Sequence, residues 1–505
     1  MTALQTGDRL VSVEPDVIDW LKMPRPMIID GEQVGSDRSL DVEDPATGRR
    51  IGSVALAGPE LVQRAVAAAR ATFDDGGWRW MSSAARSRLI LAAASLIDRH
   101  TEELAQLDAL DGGVPIEYGR ASIAEAVLTL EYAAGITARI TGQTVAPANH
   151  RGDLFQAQVI REPLGVVAQI VPWNLPFGMA VEKVALGLAT ANTMVLKPAE
   201  QTPLSALRLG ELLLEAGIPP GVVNVVSGFG AETGDALVRD PRVNKVSFTG
   251  STVTGKAIVV AASANLTPVS LELGGKSPFI VLGDADLDEA ASAAAENIFT
   301  LSGQACTAPS RMFVQHQAHD EFVERLSAAA GRVVVGSPLD PRTTAGPLVS
   351  EVQRRRVARY VDGALEDGAT LACGGAPGEG AGYYYAPTVL TDTTPRMTIN
   401  REEVFGPVVT VTPFDTVDEV IALANDTSYG LAAGVWTNDL AASQRLVREL
   451  QAGSVWVNTY NLFDPALPFG GYKQSGWGRE TGMAAVELYT QTKTVAAATT
   501  ERTSP

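Results

Sequence analysis

Between Gly165 and Asp286 the chain alternates short β-branched apolar runs with longer stretches rich in Ala and Leu. The runs are GVVAQIV, TMVLK, GVVNVVS, VNKVSFTG, VSLELGG and FIVLGDAD. They read as near-continuous apolar runs rather than as an alternation, the pattern of strands covered on both faces. Strands of that kind, separated by helix-length intervals, predict a parallel, doubly wound α/β sheet. Helices are expected over Met179 to Asn192, Leu204 to Ala216 and Val253 to Ala262, where helix formers lie between turn residues. Upstream, Glu60 to Phe73 and Ala84 to Leu110 are amphipathic and read as a helical cap on the sheet. A second alternation starts near Ala290 and runs past the Gly/Pro-rich loop Gly374 to Gly382, which predicts a second α/β domain. The last ten residues, AAATTERTSP, are small and polar and read as a frayed tail. No internal repeat is visible.

Composition narrows the function. A chain of 505 residues with 46% hydrophobic content can bury a large core and is expected to hold more than one domain. Its 40 basic and 58 acidic residues leave a formal charge of −18, which repels phosphate backbones and anionic membrane surfaces, so neither nucleic acid nor membrane is an expected partner. The N-terminal residues lack a basic region followed by an apolar run, and no later segment reaches membrane-spanning length. Two cysteines, Cys306 and Cys373, exclude a disulfide framework and fit free thiols in a reducing compartment, by default the cytoplasm. His100, His150, His316 and His319 form no ligand pattern, and no metal is expected.

Several residues carry candidate chemistry. Cys306, in SGQACTAPSR, has small neighbours, and Thr307 and Ala308 can begin a helix whose N-terminus would lower the thiol pKa. A lone cysteine is equally a packed, inert one, the reading kept for Cys373. Glu272 ends an apolar strand before a glycine pair, where burial would raise its pKa toward that of a neutral-pH base; an exposed strand-end glutamate is the alternative. Asn174, in PWNLPF, leaves a buried strand at the carboxyl edge of the sheet, where an amide can hold an oxyanion or simply form a turn. Lys197 and Glu200, in LKPAE, follow the TMVLK strand and can grip a ribose; the carboxylate would repel a 2′-phosphate and favours NAD over NADP. Gly250 and Gly255, in FTGSTVTGK, permit a tight strand-to-helix turn but lack the usual G-x-G-x-x-G spacing.

Taken together, PWNLPF, LKPAE, FTGST, LELGGKSP, GQACTAPSR, EEVFGPV and PFGGYKQSGWGRE stand in the order found in the aldehyde dehydrogenase superfamily. The resemblance runs from about Ile28 to about Thr494 and is strongest to the NAD-dependent, non-acylating branch. It implies that Cys306 is the nucleophile, Glu272 the general base and Asn174, with the Cys306 N–H, the oxyanion hole, and it sets Lys183 near the active site. It implies an NAD site lined by Ile170, Trp173, Lys197, Glu200, Gly230, Gly250 and Ser251, with Glu403 and Phe405 at the nicotinamide end. Phe177, Phe463 and Phe469 match funnel positions, which points to an apolar or aromatic aldehyde. The implied architecture is a Rossmann-like cofactor domain (1–144 and 164–275), a catalytic domain (276–480) and an oligomerisation element (145–163 and 487–500) that makes a homodimer or homotetramer.

The sequence departs from the resemblance at three places. Leu301 stands where an Asn is common, Glu182 stands where many members carry a funnel aromatic, and Ala305 and Thr307 flank the thiol. The expected reaction is attack of the thiol on an aldehyde, oxidation to a thioester, and hydrolysis by water activated at Glu272. Two rivals remain at this stage. A CoA-acylating dehydrogenase would share the thioester but lack the base, and a silent binding protein would keep the fold without the chemistry.

Overall fold

The computed structural model describes residues 10–146 and 155–498; His150, the middle of the expected hairpin and the tail from Thr499 lie outside the described residues. Two large sheets dominate. In the first, strands Val166–Ile170, Thr193–Lys197, Val223–Val225, Lys245–Thr249 and Val269–Glu272 run parallel. Their faces explain their sequence. Val166, Ala168 and Ile170 enter one apolar cluster while Val167 enters another on the opposite face, and the strand's one polar side chain, Gln169, is buried and donates to the Lys183 carbonyl at 2.7 Å. Antiparallel strands close both edges: Gly476–Trp477 at one, Met27–Ile29 and Glu32–Val34 at the other. The alternation did not announce them.

The sixth apolar run belongs elsewhere. Pro278–Val281 is the third strand from one edge of a separate seven-stranded sheet, paired in parallel with Arg311–Gln315 and Ala432–Trp436. Phe279 and Val281 pack on one face and Ile280 and Leu282 on the other, the same two-sided burial in a different core. Periodicity reports burial and is silent on which sheet a strand joins. The remaining strands of this sheet are Thr370–Cys373, Thr388–Thr391, Val408–Phe414 and Ser454–Val457.

Helices form at Pro59–Asp75, Pro176–Ala189, Leu204–Glu215 and Thr252–Ala262, within a few residues of expectation. The stretch Ala84 to Leu110 is two helices, Ser83–Arg99 and Thr101–Gly112, broken where His100 adopts φ −101° and ψ 17°. A third sheet pairs Gln143–Val145 with Phe155–Pro163, which in turn pairs along its length with Thr490–Ala498. Ala496–Ala498 are therefore strand, not tail. The Thr490–Ala498 strand is an edge, exposed from Gln491 onward.

Candidate active site

Strand order in the first sheet reverses beside Val166–Ile170: the next two strands in sequence lie to one side and Lys245–Thr249 to the other. Such a switch point opens a crevice at the carboxyl ends of the strands. Ile170 ends its strand there, and Trp173 and Asn174 follow in the loop before the helix that begins at Pro176. Lys197 ends the next strand; its Nζ donates to the Pro198 carbonyl at 2.7 Å and lies 3.7 Å from the Glu200 carboxylate. Burial lowers the Lys197 pKa and Glu200 acts against that.

Across the crevice, the Gly250 N–H donates to the Glu272 carbonyl at 3.0 Å, and a Cβ on Gly250 would lie 2.5 Å from the Phe248 ring. Ser251 caps the helix Thr252–Ala262 by accepting from the Thr254 N–H at 3.2 Å. Gly230 is exposed, and a Cβ there would meet nothing within 4 Å. The N-terminus of the Thr252–Ala262 helix and the Lys197/Glu200 pair thus stand at the carboxyl ends of the strands, the donor and acceptor types that a dinucleotide requires.

The glycine pair after Glu272 leaves room for two groups that converge on it. A Cβ on Gly274 would lie 2.3 Å from the Glu403 carboxylate, and one on Gly275 would lie 2.4 Å from the Cys306 carbonyl oxygen. Instead, the Gly275 N–H donates to Glu403 at 2.9 Å. Burial pushes the Glu403 carboxyl up to about 7 although that hydrogen bond and Lys276 pull it down. Phe405, at φ 58°, meets the Trp173 ring edge-on at 5.1 Å.

Glu272 is 4% exposed, and neither carboxyl oxygen has a hydrogen-bond partner. Burial first, then the Glu480 charge, hold its pKa well above the usual carboxylate range. A buried carboxyl with no partner is costly and is the form in which a carboxyl can serve as a base near neutral pH. The exposed alternative does not describe this residue.

Cys306 sits in a turn, not at a helix N-terminus. Pro309 turns the residue before it away from helical geometry, and the chain runs on into the strand Arg311–Gln315. Before the thiol, Leu301, Ser302 and Gly303 are consecutively left-handed, with φ of 55°, 53° and 68°. Gln304 ties the turn down: its Nε2 donates to the Leu301 carbonyl at 3.1 Å and its Oε1 accepts from the Val349 N–H at 2.9 Å. Tyr460 donates to the Thr307 carbonyl at 2.7 Å. Asn174 Nδ2 donates to the Gln304 carbonyl at 2.9 Å, which holds the amide beside the thiol loop and leaves its second N–H. The depressed thiol pKa expected from a helix end is absent. Burial, then Glu403, Glu272 and Glu182, push the thiol up to about 12.

Lys183 is buried and forms an ion pair with Glu480 at 2.9 Å, while also donating to Ser247 at 3.0 Å. Glu480 went unmarked in the sequence reading. It closes the PFGGYKQSGWGRE motif, and its only signal there was a charge beside glycines. Phe177 is 0% exposed and packs in the first apolar cluster, so it presents no surface to a funnel. At that helix position the side chain points at the core, and Gly178, Met179 and Glu182 hold the accessible face. Phe463 is half-exposed and meets Phe469 edge-on at 5.4 Å.

A thiol within electrostatic reach of a buried unpartnered carboxyl, at the switch point of a parallel α/β sheet, fits the class of NAD-dependent oxidoreductases. Comparison with known proteins gives the family. The chain belongs to the aldehyde dehydrogenase family, whose model matches residues 33–495. It is 46% identical to a phenylacetaldehyde dehydrogenase of Pseudomonas fluorescens over 95% of this chain and 97% of that protein. An NAD+ complex of an aldehyde dehydrogenase from Bacillus cereus superposes with a TM-score of 0.95 at 45% identity, covering 97% of this chain and 100% of that one. Betaine aldehyde dehydrogenase from Staphylococcus aureus, in complex with NAD+, gives 0.94 at 36% identity over 98% of both chains. The protein is thus an enzyme that oxidises an aldehyde with NAD.

Proposed function

We propose that oxidation proceeds through covalent bonds to Cys306 and ends in hydrolysis to the carboxylic acid. The thiol sulfur adds to the aldehyde carbonyl to give a thiohemiacetal, and the free Asn174 N–H and the Cys306 backbone N–H receive the oxygen. NAD bound at the carboxyl edge of the sheet would supply the acceptor for the hydride that leaves the thiohemiacetal carbon. Glu272 then removes a proton from water, which attacks the thioester and releases Cys306 with the acid. The observation that carries this reading is Glu272, a buried carboxyl whose oxygens have no protein partner, in electrostatic contact with the thiol. It also weighs against transfer to a thiol such as CoA, which requires no water-activating base.

Lys197, Glu200, Gly230, Gly250 and Ser251 hold the adenosine and pyrophosphate in this proposal, and Ile170, Trp173, Glu403 and Phe405 the nicotinamide end. Lys183 positions Glu480 beneath Glu272, and Phe463 and Phe469 contact the substrate body. The same proposal divides the chain near 275/276 into cofactor and catalytic domains and uses the exposed Thr490–Ala498 edge to assemble a homodimer or homotetramer. No helix among the described residues is long and apolar enough to cross a membrane, and Cys306 and Cys373 are unpaired; a cytoplasmic location is our reading of the second fact.

The test is stopped-flow NADH formation with Cys306→Ala and Glu272→Gln. The first variant should give no NADH, and the second a single-turnover burst with a slow steady state. Normal steady-state turnover by Glu272→Gln would sink the base assignment.

A further inference from the structure

Resting on the Cys306 reading above, we propose that Tyr460 is a positioning residue for the thiol, and that Trp456 makes its hold depend on an aromatic ring seated on Phe463. Gln304 ties the chain down before Cys306. The hold after it comes from the Tyr460 hydroxyl, which donates to the carbonyl of the next residue, Thr307, at 2.7 Å.

Packing sets that hydroxyl. Tyr460 is 8% exposed, and its ring lies 5.7 Å from Phe279 and 4.8 Å from Trp456. Gly434 makes the space, because a Cβ there would lie 2.6 Å from the Tyr460 ring. A buried phenol without a partner is costly, so the ring position and the Thr307 hydrogen bond enforce one another. Burial also pushes the phenol pKa up, and the hydroxyl keeps its proton throughout the working pH range.

From Tyr460 the contacts run outward. Trp456 meets Phe463 edge-on at 5.8 Å, and Phe463, half-exposed, meets Phe469 at 5.4 Å. The turn between Trp456 and Phe463 is pinned. Asn458 and Asn461 take left-handed φ of 51° and 54°, which Asn tolerates better than most residues. Asn458 exchanges two hydrogen bonds with the Thr437 backbone, each 3.0 Å, and Asn461 donates to Asn297 at 2.9 Å. Trp456 Nε1 donates to the Leu462 carbonyl at 3.2 Å. Phe469 exchanges backbone hydrogen bonds with Glu480 at 2.9 and 2.8 Å. An aromatic row anchored at both ends therefore runs from a half-exposed ring to the residue beside the thiol. A substrate ring against Phe463 adds one more aromatic contact and restrains the row, so its benefit falls on the rate at which the thiol reacts.

The experiment follows the NADH burst at saturating aldehyde with 3-phenylpropanal and with propanal, which differ only in the ring. Wild type should react several-fold faster with the ring, the scale of one aromatic contact. Tyr460→Phe keeps the packing and removes the hydrogen bond. Its burst with 3-phenylpropanal should slow roughly tenfold, the ring preference should vanish, and the KM for propanal should hold. The rate ratio of wild type to Tyr460→Phe should be flat from pH 6 to pH 9.5. Trp456→Leu should lose the ring preference alone, and in the Tyr460→Phe background should change nothing further. A Tyr460→Phe burst at the wild-type rate, a ratio that varies with pH, or a Trp456→Leu effect that persists in the double variant overturns the proposal. Where Tyr460→Phe fails to fold, the absence of a ring preference in wild type, or its survival in Trp456→Leu, overturns it. NADH from Cys306→Ala would instead remove the thiol reading beneath it.

Discussion

Replacing Glu480 by Gln tests the electrostatics beneath the active site. Lys183 and Glu480 each have about 2% side-chain exposure and lie 2.9 Å apart. Removing one partner of a buried pair strands the other charge and typically costs roughly 3–5 kcal/mol. The Ser247 bond to Lys183 survives, so about 3 kcal/mol is expected, read as a lower urea midpoint and a lower calorimetric Tm. The double change Lys183→Met, Glu480→Leu removes both charges and should recover most of that loss. Activity should move independently. Glu480 is the largest charge effect raising the Glu272 pKa, and Lys183 acts in the opposite sense. Loss of the negative neighbour therefore favours ionised Glu272, and the acid limb of the deacylation rate should shift to lower pH in Glu480→Gln. Two results would refute the reasoning: a variant as stable as wild type with no gain in the double change, or an acid limb that moves to higher pH.

Two further outcomes follow from the thiol loop. With its pKa pushed up to about 12, Cys306 in the cofactor-free enzyme should react with iodoacetamide more slowly than a free thiol at pH 8, and its rate should still be climbing above pH 9.5; a plateau near pH 8 would show a thiolate the resting site does not hold. Gly303→Ala should cost at least about 1–2 kcal/mol for its left-handed backbone alone, and more because its Cβ would lie 2.1 Å from the Gly406 carbonyl oxygen; wild-type Tm and turnover would show that the loop can relocate freely.

What the sequence disclosed follows from what burial imposes on it. Val166 to Ile170 and Thr193 to Lys197 were legible because both faces of a central parallel strand must be apolar. The edge strands Met27–Ile29 and Gly476–Trp477 were not, being short and placed by distant contacts. Phe279 carried the same apolar signature as its predecessors and joined the other sheet. Among the site residues, Glu272, Asn174 and Cys306 stood out through their motifs, whereas the thiol pKa depended on Glu403 and Glu182, residues 97 and 124 positions away whose approach only the tertiary structure reveals. Phe177, which only the resemblance assigns to the funnel, faces the core, because a motif match does not say which side chains of a helix turn inward.

The left-handed run Leu301–Gly303 and the loop at Phe405 meet where Gly303 abuts Gly406 with no room for a methyl group. The loop that carries the sulfur and the loop proposed to seat the nicotinamide are therefore latched into one mechanical unit. An insertion or a bulkier residue in either should misalign both, so catalytic failure from damage to one loop should be accompanied by weakened NAD binding.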